Sequence, residues 1–473
     1  MKKSKEAISV TFYYHKTASI VLAFIVILVM ILHPGIQSYA SFTLEDETKL
    51  GREFYNKLND KGLLLDDSKV TDYINRIGQD LVTHSSKSPF NFTFSVIKST
   101  GINAFATPGG YIYVYEGLIK LAENESQLAG VLAHEIAHIQ SRHIAESIEK
   151  SQKLSVATLV GILAGAFLGG GGEGSAAIAT LTMAATTSLN LKYTRENEEE
   201  ADRKGMRYMI NTGYDGQGML DFLKIMRRYE YFSDSIPSYF LTHPGTSDRI
   251  RYLDGLLHAV YGKKGAKSII GGLNRIKTIL VLREKDLNSS LKYFQNALEE
   301  NPHDVNFLYG LAVIQSKMGK INESLNNFSR ALQQSPNDED ILREIGIIHY
   351  KTGNVNDAIK YLRQAYSINN NNADTILYLG RAYESMNNYL SALDLYRKFQ
   401  RDNPDDVNIY YNLAMTYGKI NNQGESHYNF GIYFKKENKL RSALFHFKAA
   451  LNYFTPDTER GKAIQKEIDS LNN

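Results

Sequence analysis

Hydrophobic and polar positions divide the 473-residue chain into stretches of different periodicity. An unbroken apolar run from Ala18 to Leu32 follows Lys2, Lys3 and Lys5 and leads to Ser38-Tyr39-Ala40. From Glu45 the pattern is mixed. Glu45–Asn59 and Ser68–His84 predict half-buried helices, Phe90–Lys98 and Ile112–Tyr115 predict strands, and Glu125–Lys150 predicts one long helix. Pro108-Gly109-Gly110 supplies the turn before the second strand. An apolar, small-residue stretch runs from Leu154 to Leu168, breaks at Gly169–Gly174 and resumes from Ala176 to Leu189.

From about Ser268 a 34-residue step takes over. Small residues recur at Ala312, Gly346, Gly380 and Ala414, and apolar ones at Leu291, Leu325, Ile359 and Leu393. A third series is Ala297, Ala331 and Ala365, and helix-breaking signals fall at Pro302, Pro336, Asn370 and Pro404. That period, with small residues where paired helices cross, predicts tetratricopeptide repeats, and Phe294, Phe328, Leu362 and Tyr396 are placed to fill the next layer. Four repeats are expected, followed by helices at Asn408–Lys419, Glu425–Lys436 and Leu440–Leu451, the last two a pair. Such a solenoid offers a concave groove for a peptide or a partner and has no chemistry of its own. Tyr378, Tyr383, Tyr410 and Tyr417 could give that groove aromatic contact or simply fill the core.

Composition changes the picture at the N-terminus. Lysines, an apolar run and a small-x-small ending form the layout of a secretory signal over residues 1–40, and fifteen apolar residues are short of a bilayer span, which needs about 20. Cleavage after Ala40 is expected, with a retained anchor as the alternative. Removing those residues takes four Lys and one Glu from 54 basic and 51 acidic residues, so the remainder is neutral and carries no basic footprint for nucleic acid. The chain has no Cys, so coordination of a metal must come from His and carboxylates.

His134-Glu135-Ile136-Ala137-His138 supplies candidate chemistry. Residues four apart share a helix face, so His134 and His138 can both reach one zinc ion, with Glu135 beside it as the base for a water that zinc acidifies to a pKa of roughly 7. Glu198 and Asp202, also four apart, lie in Thr194–Gly205. A catalytic zinc wants three protein ligands and an open position, which makes Glu198 the natural third, and Asp202 is suited to hold the far N–H of a ligand histidine. The pattern HExxHxxGxxH fails, because Ser141 and Ile144 stand where Gly and His are required; His143 is one residue out of phase and is expected either behind the ligands or at the surface. Tyr113 and the Ile112–Tyr115 strand, with Asn103 and Phe105 upstream, are expected either to offer a free edge to an extended substrate or to lie inside a small sheet.

HEIAH, TRENEEEAD about sixty residues on, and HPGTSDRI, together with NAFATPGGYIYVYEGLI before them, resemble the peptidase family that contains the CAAX prenyl proteases and HtpX. The resemblance covers residues 45–255, with Thr194 where the family usually has Ser. It implies one zinc ion per chain held by His134, His138 and Glu198. It also brings His243 to the active site, either as a donor to the oxyanion or as a resting ligand at the metal's fourth position, with Arg249 nearby. By the same resemblance the 154–189 interval, which carries membrane helices in HtpX, is either a membrane-touching hairpin or a pair of helices buried on the catalytic core.

The expected fold is therefore mainly α. A signal peptide occupies 1–40, a gluzincin-like zinc metallopeptidase domain with a small β-sheet 41–262, and an α-solenoid 263–473. The layout is similar to that of the periplasmic β-barrel assembly-enhancing proteases. This implies an exported endopeptidase acting on polypeptides, among them unfolded outer-membrane β-barrel proteins, with assembly machinery met through the repeats and peripheral membrane contact. No ATP is implied, since GGGGEG lacks the GK[ST] ending of a phosphate loop. A scaffold or chaperone with a mostly latent protease site is the alternative, and a zinc hydrolase of non-peptide substrates a third.

Overall fold

A computed structural model describes residues 42–149, 154–168, 193–232, 238–261 and 265–472. The signal-like segment and the second apolar arm, Ala176–Leu189, lie outside them. The chain divides into two units that meet at Ile269–Ile270. That is beyond the expected Gly262–Lys263 junction, because the strand of chain after it stays tied to the first unit: Ala266 bridges Tyr214, Lys267 O accepts from Ser126 N, and Ile269 N donates to Glu125.

In the first unit Thr43 and Asp46 form a capping box that starts α1 (Leu44–Asp60), and Asp67 caps α2 (Ser68–Thr83). A three-stranded sheet follows, β1 (Thr93–Ile97), β2 (Ala104–Thr107) and β3 (Tyr111–Tyr115), in the order β1-β3-β2, with β1 parallel and β2 antiparallel to β3. Then come α3 (Glu116–Leu121), α4 (Glu125–Gln140), α5 (His143–Glu149), α6 (Val156–Leu168), α7 (Arg195–Thr212), α8 (Gln217–Phe232), α9 (Ser238–Thr242) and α10 (Thr246–Leu256), which ends in a wide turn at Leu257–Tyr261.

The strand expected at Ile112–Tyr115 is the middle one, so it has no free edge; Leu63–Leu65 pairs with the outer side of β1, which leaves that of β2 unpaired among the described residues. Asn103, Phe105 and Tyr113, expected along a substrate strand, are fully buried. Phe105 stacks between Tyr113 and Phe167, at 5.0 and 4.3 Å, and Asn103 Nδ2 donates to Phe167 O at 3.4 Å. The reason is α6, whose apolar face (Leu159, Ile162, Leu163, Phe167) closes over β2, β3 and α1. The first apolar arm is thus a buried helix, and among the described residues no helix is long and apolar enough to cross a membrane.

α4 is buried from Glu125 to Ile139, and small residues let its neighbours approach. A Cβ on Gly205 of α7 would lie 3.0 Å from the His134 backbone nitrogen, so the absence of a side chain there lets α7 cross α4 at the first histidine. The single helix expected over Glu125–Lys150 breaks at Arg142, whose φ of 55° is left-handed and costs a side-chain-bearing residue roughly 1–2 kcal/mol. Its guanidinium is held by Glu47 Oε1 at 2.6 Å and Phe42 O at 2.9 Å, which offsets that cost.

The second unit is a run of helices: α11 (Leu273–Leu282), α12 (Leu287–Glu300), α13 (Val305–Lys317), α14 (Ile321–Gln334), α15 (Glu339–Lys351), α16 (Val355–Ile368), α17 (Ala373–Ser385), α18 (Tyr389–Asp402), α19 (Val407–Lys419), α20 (Gln423–Lys436), α21 (Leu440–Leu451) and α22 (Glu459–Asn472). Asp304, Asp338, Asn372 and Asp406 cap alternate helices, α13, α15, α17 and α19, at the 34-residue step, a periodic signal beside those read above. Turns within each pair carry a left-handed residue at Gly319, Gly353, Asn387 and Asn421. Asn438 repeats that turn between α20 and α21, and Gly431 meets Phe447 as Gly380 meets Tyr396. α20 therefore packs as the second helix of one hairpin and the first of the next, and the array shifts phase by one helix. A Cβ on Gly346 would sit 2.6 Å from Leu362 Cγ. Gly346→Ala is expected to lower the stability of the repeats by about 1–3 kcal/mol through overpacking, checked by urea unfolding of the full chain, with zinc content unchanged.

Candidate metal centre

Four helices deliver the site. α4 presents His134 and His138 one turn apart, α7 presents Glu198 and Asp202 one turn apart, α9 leads into His243, and α10 carries Arg249. Thr194 caps α7 through a capping box with Asn197, which fixes where Glu198 enters. His134, His138, Glu198 and His243 each offer an atom within 4.8 Å of the others, and all four are buried. Nε2 of His138 lies 2.9 Å from Nε2 of His134, and Glu198 oxygens lie 3.4 and 3.6 Å from those two nitrogens. His243 Nδ1 is 3.0 Å from Glu198 Oε1 and 3.4 Å from His134 Nε2.

The surroundings set tautomers and charge. Asp202 Oδ1 is 2.8 Å from His134 Nδ1, so it accepts that N–H and leaves Nε2 free to coordinate. Arg249 grips Asp202 with Nε at 2.8 Å and Nη2 at 2.7 Å, and its Nη1 lies 2.6 Å from Glu198 Oε2. The Tyr252 hydroxyl also donates to Asp202. Burial pushes Asp202 and Glu198 up, but Arg249 and the histidines outweigh it and hold both carboxyls well below the usual range. Burial, with His134 beside it, keeps His138 neutral, while burial raises Glu135.

This donor set fits zinc. Three buried carboxyl groups, Glu135, Glu198 and Asp202, stand around one buried guanidinium, Arg249, so acidic groups outnumber the permanent cation of the centre. An excess of buried acidic groups suits a cation, since uncompensated buried charge costs several kcal/mol per ion. Both Glu135 oxygens and His243 Nε2 are buried without a hydrogen-bond partner, which a metal and its water would satisfy. Imidazole nitrogen and carboxylate oxygen are the ligand types zinc takes in catalytic sites.

All of the residues expected at the metal converge; Asn103, Phe105 and Tyr113 do not, being core. Three aromatic residues of the site were not anticipated. Tyr193 stacks on His138 at 3.8 Å, Tyr239 stacks on His243 at 4.5 Å, and Tyr252 caps Asp202. Helical spacing carried a signal for two of them: Tyr239 is four residues before His243, and Tyr252 three after Arg249. Tyr193 had none beyond preceding Thr194. A narrow cleft beside His138 and Tyr193 is also lined by Ala106, Thr107 and Pro108, at the end of β2.

Residues 68–257 match the family profile described as Peptidase family M48. Tetratricopeptide-repeat profiles match residues 281–343, 349–415 and, in a second description, 315–373. The chain is 34% identical over 217 residues to the β-barrel assembly-enhancing protease of Escherichia coli K12. It is 36% identical over 219 residues to a putative β-barrel assembly-enhancing protease of Vibrio cholerae. Each match covers 46% of this chain and 45% of the relative, so it spans about half the length of these proteins. The mitochondrial metalloendopeptidase OMA1 of Schizosaccharomyces pombe is 30% identical over 185 residues, 39% of this chain and 52% of that one.

Proposed function

We propose that this chain, which carries a Peptidase family M48 domain followed by tetratricopeptide repeats, is a zinc-dependent endopeptidase acting on polypeptides in the assembly or quality control of outer-membrane proteins. The convergence of His134, His138 and Glu198 beside the unpartnered carboxylate of Glu135 carries this reading. Zinc, when bound, acidifies a water and polarises a peptide carbonyl. Glu135 takes the proton of the attacking water and returns it to the departing amine. The β2 edge supplies the backbone partner for an extended substrate. Along it Ala104 and Ala106 alternate with residues bonded to β3, and among the described residues nothing pairs with its outer side.

Export to the periplasm is part of the proposal; the Lys-rich start, the apolar run and Ser38-Tyr39-Ala40 support it. Outer-membrane substrates rest on the names of the relatives, and the repeats supply a groove for a polypeptide or a partner. Incubating the protein with an unfolded β-barrel protein and with a folded globular control tests the activity; cleavage of the first, lost on chelation and restored by zinc, is expected. No cleavage by the zinc-loaded protein would leave the scaffold reading in place.

His243 stands inside the donor group, and this geometry favours the resting-ligand role over the oxyanion donor. Substrate would then have to displace its ring. His243→Ala is expected to raise the rate on an unfolded polypeptide, measured at equal zinc content. A donor role would instead give a fall of about 10²–10³-fold.

A further inference from the structure

His138 uses Nε2 toward the metal group, and its other ring nitrogen is not paired with a carboxylate or a carbonyl. Nδ1 lies 2.8 Å from Nδ1 of His143, a residue that the HExxH pattern does not include. A nitrogen–nitrogen hydrogen bond needs one donor and one acceptor. A histidine that coordinates through Nε2 must carry its proton on Nδ1, so His143 accepts at Nδ1 and carries its own proton on Nε2. That proton faces Glu200 Oε2 at 3.4 Å, and Glu200 is itself held by Lys204 Nζ at 2.6 Å and Ser141 Oγ at 3.1 Å.

The backbone is bent to achieve this contact. Had α4 continued, His143 would lie five residues on and about 140° round the helix from His138, away from its ring. The left-handed Arg142 breaks the helix instead, and its guanidinium is anchored to Glu47 and Phe42 O. His143 is 3% exposed, and Tyr193 closes over both rings, 3.8 Å from His138 and 6.2 Å from His143.

We infer that His143 is a positioning residue for the metal, accepting a hydrogen bond from the Nδ1–H of His138 and directing its own Nε2–H toward Glu200, so that the two ligand histidines are oriented by different partners. His134 leans on Asp202 and Arg249; His138 leans on a second histidine. The inference rests on the proposed zinc site.

The test measures zinc affinity of the full chain by competition with a chromophoric chelator. His143→Leu removes the acceptor and keeps bulk, and is expected to weaken zinc binding about 10–100-fold. His143→Asn places Oδ1 near the position of Nδ1 and is expected to stay within about threefold of the wild type, as a restored acceptor should. Wild-type affinity in His143→Leu, or equal losses in both variants, would overturn the role. If His143→Leu fails to fold, Glu200→Gln and His143→Asn decide it. Glu200→Gln is expected to weaken zinc binding severalfold with His143→Asn near wild type; no effect of Glu200→Gln, or a large loss in His143→Asn, overturns it. A wild-type chain that takes up no zinc would refute the metal site itself rather than this assignment.

Discussion

Glu135→Gln should retain zinc and bind unfolded polypeptide while losing about 10²–10⁴-fold in cleavage rate, the usual share of a positioned general base. Glu135 stands outside the donor group of His134, His138, Glu198 and His243: both its oxygens are buried without a hydrogen bond, and His243 Nε2 lies 3.5 Å from Oε1. Gln keeps the volume and removes the proton acceptor. Single-turnover cleavage measured beside zinc content separates the outcomes. Loss of zinc would show that Glu135 holds the metal group together, and an unchanged rate would remove the hydrolytic reading. The same variant should accumulate complexes with whatever the wild type cuts, so its co-purifying proteins identify substrates. Full rescue of a deletion phenotype by this variant would favour the scaffold reading.

The largest stability effect is expected at Arg249. Its guanidinium is 3% exposed and bridges Asp202 and Glu198, so Arg249→Met leaves two buried carboxylates without their cation. Breaking a buried pair from one side costs about 3–5 kcal/mol. The loss should be greatest in chelator, where the Asp202 and Glu198 carboxylates would have neither cation beside them, and smaller with zinc bound. Urea unfolding with and without zinc measures both. Equal losses in the two conditions would mean that Arg249 acts through packing and not through the charge of the centre.

The metal ligands were legible because helical spacing is local: one turn separates His134 from His138 and Glu198 from Asp202, whatever surrounds them. The repeats were legible for a similar reason, since a 34-residue step needs no knowledge of the partner helix. Spacing could not show which strand is central. Tyr113 proves to lie on the central β3 and Phe105 on the edge strand β2, and the closure of α6 over that face of the sheet is what buries both rings. Nor could it show the break at Arg142, because the left-handed turn is stabilised by Glu47, almost a hundred positions away in sequence.

What the sequence determined alone is therefore the local chemistry: two pairs of residues one turn apart, their caps, and the periodic helix crossings. Tertiary structure decided where those pairs meet, which strand edge stays open beside them, and that His243, Arg249 and His143 complete the centre. The physical reason is range. Backbone hydrogen bonding and helical phase act over three or four residues, whereas the electrostatic balance of a buried site depends on groups from α4, α7, α9 and α10 arriving together.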